Sequence, residues 1–67
     1  MTRYEIIEDS AVGPRHSPDW HTHVVSVRES IEDAEHCVKL LNDIYDATIA
    51  CGFSPRHRNA RIRAIVY

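Results

Sequence analysis

The chain has little of what usually marks an enzyme or a secreted scaffold: two cysteines, two glycines, three prolines and no long apolar run in 67 residues. Each shortage excludes something. Cys37 and Cys51 fall on one predicted helix, fourteen positions apart, a separation of about 21 Å at 1.5 Å per residue. A disulfide needs Cα atoms within about 7 Å, so the two cannot pair within one chain. With no apolar signal segment at the start and no membrane-length run, the expectation is a soluble cytoplasmic protein with reduced thiols and no membrane partner. Catalytic patterns are also missing. None of Ser10, Ser17, Ser26, Ser30 or Ser54 sits in a nucleophile elbow. His36 and Cys37 are neighbours on a helix and diverge by about 100°, so they form no dyad. Asp43 and Asp46 belong to a solvated arc. A chain this short has little volume for a pocket of about 300 Å³ or more. The expectation is therefore a protein that is not an enzyme and needs no cofactor.

The length allows only one domain, residues 1–67, and a chain near 60 residues buries only about 60% of its unfolded surface. Domains of this size lean on disulfides, a metal or self-association, and here metal and self-association remain. Charge is unevenly spread. All ten acidic residues lie in 1–53 with four of the eight basic ones, a net charge of −6, whereas 54–67 carries four arginines and no acid, a net +4. Such asymmetry points either to nucleic acid or to complementarity between parts of an assembly.

Patterning predicts a three-stranded α+β domain in β-β-α-β order, with one long amphipathic helix packed on one sheet face. Residues 3–9 alternate as a strand, Tyr4 and Ile6 on one face, Glu5 and Ile7 on the other. Residues 10–19, with one Gly and two Pro, form a turn or long loop. Trp20–Arg28 is the second strand, with His21, His23, Val25 and Val27 on one face and Trp20, Thr22, Val24, Ser26 and Arg28 on the other. Ser30 with Asp33 resembles a capping box, acids fill the first turn, and Gly52 and Pro55 stop the helix, placing it over 31–51. Its polar arc holds Glu32, Glu35, His36, Lys39, Asn42, Asp43 and Asp46. The remaining apolar arc spans about 200°, wider than one core contact requires. Residues 60–67 form the third strand, with Ile62, Ala64 and Val66 inward and Arg61, Arg63, Ile65 and Tyr67 outward. Pattern alone leaves the strand order open.

Three constellations carry function at this level. His21-x-His23 puts two imidazoles on one strand face, and the helix end brings Cys51 and His57 toward them. That is a candidate zinc set, with His16 or Asp19 in reserve. Arg56, Arg58, Arg61 and Arg63, with Trp20 and Tyr67, form a candidate nucleic-acid surface. The over-wide helix arc and the open sheet face ask for a protein partner, and a homodimer is the commonest form that takes. Leu40, Ile44 and Ala47 on the helix, or Trp20, Val24, Ile65 and Tyr67 on the sheet, would make that contact. This last expectation has the widest physical basis: a small interaction or regulatory module.

Overall fold

A computed structural model of residues 1–67 gives the elements β1 (Thr2–Val12), β2 (Asp19–Arg28), α1 (Ile31–Ala50) and β3 (His57–Val66). The fold is α+β in the expected order. The three strands form one antiparallel sheet in the order β2-β1-β3. β1 is central because the hairpin places β2 on one side of it and the helix carries the chain across to the other. Its central residues Ile6, Ile7 and Glu8 are accordingly among the five buried residues of the chain, with Ala34 and Ala60.

Two strands run further than their patterns imply. β1 continues through Ser10, Ala11 and Val12, and β3 starts at His57, inside what patterning assigns to loops. Arg56 explains both. Its backbone C=O accepts from the N–H of Ala11 at 2.8 Å, and its guanidinium donates to the C=O of Ala11 and Gly13 at 3.1 and 3.0 Å. Asn59 takes a left-handed φ of 58°, a conformation Asn tolerates, where the β1–β3 register shifts between Ile7 and Asp9.

A second irregularity corrects the face assignment of β2. Ile6 pairs with Ser26 and Ile7 with Val24, so Val25 is an extra residue and the alternation reverses across it. Ser26 and Arg28 share the helix-covered face with His21 and His23, while Val27 joins Trp20, Thr22 and Val24 on the open face. Arg28 therefore leaves the open surface. It lines a groove beside the helix instead.

The helix is bounded as its punctuation implies. Ser30 Oγ accepts from the N–H of Asp33 at 3.3 Å and donates to a Glu32 carboxylate oxygen at 3.0 Å. At the other end Gly52 adopts φ +86°, its N–H bonding the C=O of Ile49 while that of Phe53 bonds Thr48, a Schellman closure that a side chain at Gly52 would strain. Asn42, expected on the solvated arc, is half-buried. Its side chain donates to the C=O of Ala60 and accepts from the same residue's N–H, at 3.1 and 3.2 Å, fastening α1 to β3. α1 lies mainly over β3 and β1 and touches β2 least. The body is a slab of 42 × 22 × 11 Å exposing 4749 Å², compared with about 4,300 Å² expected for a compact protein of this mass.

Candidate functional site

Under the C-terminal half of the helix, one side chain joins all four elements. Glu8 of β1 is 4% exposed. Its Oε1 lies 2.8 Å from His57 Nδ1 of β3 and 3.2 Å from His23 Nε2 of β2, and its Oε2 accepts from the Tyr45 hydroxyl of α1. His57 Nδ1 is also 3.0 Å from Ser10 Oγ, and the His57 ring stacks on Tyr45 at 6.1 Å between centroids. Donation to the carboxylate places the His57 proton on Nδ1, while His23 Nε2 approaches the same oxygen without a hydrogen bond. No buried side-chain polar atom lacks a partner. Burial, then the Glu8 hydrogen bond and charge, push the Tyr45 phenol well above its ordinary value of 10.0. It stays a neutral donor. A carboxylate saturated in this way is suited to holding four elements in one arrangement.

The sequence carries a signal for Glu8 that strand patterning alone does not weigh. Tyr4, Ile6 and Glu8 share one parity of β1, so an acid sits on the core-facing side and must find partners there. Of the candidate zinc set, the structure brings His23 and His57 together around Glu8. His21 lies two pairs along, opposite Ser10, and Cys51 is an exposed helix cap. No three His, Cys, Asp or Glu side chains are placed to share an ion.

On the open face each arginine already has a partner. The Arg58 guanidinium lies 3.7 Å from the centroid of the Trp20 ring, Arg61 meets Asp9 at 3.4 Å, Arg63 pairs with Glu5 at 2.7 Å, and Arg3 lies 5.4 Å from Tyr67. Arg56 is held by main-chain carbonyls. Hydrogen bonds from Thr22 and Asn59, with a smaller contribution from Arg61, hold the Asp9 carboxyl below its ordinary value of 3.8. Ile65 and Trp20 are half-buried in this cover, and Tyr67 remains exposed.

Exposed apolar side chains lie on the helix, on β2 and near the chain ends. On the helix side a groove of about 490 Å³ is lined by Asp33, His36, Cys37, Leu40, Leu41 and Ile44 of the helix and by Arg28 at the end of β2. Leu40 and Ile44 are 50% and 59% exposed, and Val24, Val25 and Val27 are each more than 40% exposed. No helix is long and apolar enough to cross a membrane. No protein-family model matches the chain, and neither the curated proteins nor the solved structures contain a significant match.

Proposed function

We propose that this chain is a non-enzymatic interaction module that acts through protein–protein contacts, as a homodimer, using the β2 side of the domain. The observation that carries this reading is the offset of the helix. It covers β3 and leaves Leu40 and Ile44 in water on the helix side, while Val24 and Val27 stand exposed on the opposite, open face of β2. Burying one such side chain is worth about 1.5–3 kcal/mol, so two or three of them supply the apolar centre of a contact. The engagement of Arg56, Arg58, Arg61 and Arg63 within the chain favours this reading over nucleic-acid binding, since phosphate contacts would first have to release them.

The test is sedimentation equilibrium of the wild-type chain and of Leu40→Asp/Ile44→Asp, with circular dichroism to confirm folding. Wild-type dimers and at least tenfold weaker association of the folded double variant are expected. A wild-type chain that stays monomeric to millimolar concentration would end the homodimer reading.

A further inference from the structure

We infer that a second copy of this chain adds to the free edge of β2, antiparallel and centred on Thr22, extending two three-stranded sheets into one of six strands; this rests on the homodimer reading and specifies its geometry. The two edges of the sheet are not equivalent. β3 carries Arg58, Arg61 and Arg63 and a left-handed Asn59, devices that discourage strand addition. β2 has no charged residue between Asp19 and Arg28 and no proline, and Val24, Val25 and Val27 are exposed on it.

The register follows from backbone direction. Ala11 uses both its N–H and its C=O toward Arg56, on the β3 side of β1. In an antiparallel strand successive residues turn these groups to opposite sides, so Ser10 and Glu8 turn theirs toward β2. Their register partners His21 and His23 complete those pairs. The backbone groups of Trp20, Thr22 and Val24 therefore point away from the sheet. The bulge at Val25 then limits regular pairing to the stretch before it. A twofold axis at Thr22 sets Trp20 opposite Val24 of the second copy and Thr22 opposite its counterpart, about six main-chain hydrogen bonds in all.

Faces agree in this register. Trp20, Thr22 and Val24 share the open face, where aromatic and β-branched residues make favourable cross-strand pairs, and His21 meets His23 of the second copy on the helix side. A twofold at His23 would instead set Trp20 against Ser26, which faces the other way. Strand pairing of this length buries less than the roughly 1,200 Å² of a stable interface, so the contact forms a weak, concentration-dependent dimer.

The test begins with hydrogen exchange on the wild-type chain, followed by NMR as a function of concentration. Amides of Trp20, Thr22 and Val24 are expected to exchange at least 100-fold more slowly in the dimer than in the dilute monomer. Dimers in which these amides exchange as in the monomer would overturn the β2 seam and leave the homodimer reading standing, whereas a monomer at every concentration would overturn both. A covalent check uses Thr22→Cys in a Cys37→Ala/Cys51→Ser background. Mild oxidation should link it into dimers of unchanged sedimentation, while Ile65→Cys in the same background stays unlinked. Equal linking of the two, or none at Thr22→Cys in a folded dimer, counts against the register. If the cysteine variant does not fold, the wild-type exchange pattern decides alone.

Discussion

The two outer strands have equal length and opposite surroundings. β3 is tied to the helix by Asn42 and Tyr45–His57 and to β1 by the Arg61–Asp9 and Arg63–Glu5 pairs. β2 reaches the rest of the molecule through its ladder with β1, the Thr22–Asp9 hydrogen bond, the contact of His23 with Glu8 and the Arg58 guanidinium over Trp20. The helix and its side-chain ties secure one edge, whereas the other edge relies mainly on the strand ladder. The difference arises because a single helix cannot cover three strands, and Asn42 and Tyr45 decide which strand goes without.

If that account is right, the largest effect belongs to the residue that joins both sides. Glu8→Ala removes the hydrogen bonds to His57 and Tyr45, worth about 1.5–3 kcal/mol each before compensation, and the net cost should be about 2–4 kcal/mol. A domain of this length has only about 3–10 kcal/mol in total. Urea unfolding should show a strongly lowered midpoint or loss of the cooperative transition, and a change below about 0.5 kcal/mol would mean the cluster is incidental. Asn42→Ala comes next, at about 1–3 kcal/mol, because it leaves the N–H and C=O of Ala60 without their side-chain partner at a buried position. It should also loosen β3 selectively. Faster amide exchange in β3 with unchanged exchange in β2 would show that the helix anchors only one edge.

Acid probes the open face. Asp9 has a folded-state value below its ordinary 3.8, so its contribution is present above that value and is lost as pH falls through the depressed one. Asp9→Asn should flatten the stability profile below pH 3.8 relative to wild type. Parallel profiles would show that Thr22 and Asn59 hold this carboxylate no better than water does.

How much of this was legible in sequence depends on whether the deciding partner was near or far in the chain. Ser30, the acids after it, and Gly52 delimit the helix through contacts within a few residues, so its limits could be read. The parity of β1 and the inward set of β3 were likewise legible; Val66 shares the inner face by register yet stays 78% exposed. The reversal inside "HVVSVR" has no glycine or proline to announce it, because the extra residue is set by pairing with Ile6 and Ile7 of another strand. Asn42 looked like solvated polarity for the same reason, its partner being eighteen residues away. The spacing of the histidines suggests ion ligands, whereas the group that draws His23 and His57 together, Glu8, is marked only by its parity within a strand.

The smallest intrinsic effect sharpens the comparison most. Val24 is 42% exposed on β2, and Thr is β-branched and similar in volume, so Val24→Thr in the dilute monomer should cost about 0.5 kcal/mol or less. Ile62, at the matching distance from β1 on the other edge, is half-buried on the helix side, and Ile62→Thr places a hydroxyl there at a cost of about 1–3 kcal/mol. Raising the concentration should leave the Ile62→Thr penalty unchanged, since β3 meets nothing new in the dimer. The Val24→Thr penalty should grow, because its side chain then lies against Trp20 of the second copy. Thermal unfolding of both variants across a hundredfold range of concentration distinguishes an edge completed inside the chain from one completed by its partner.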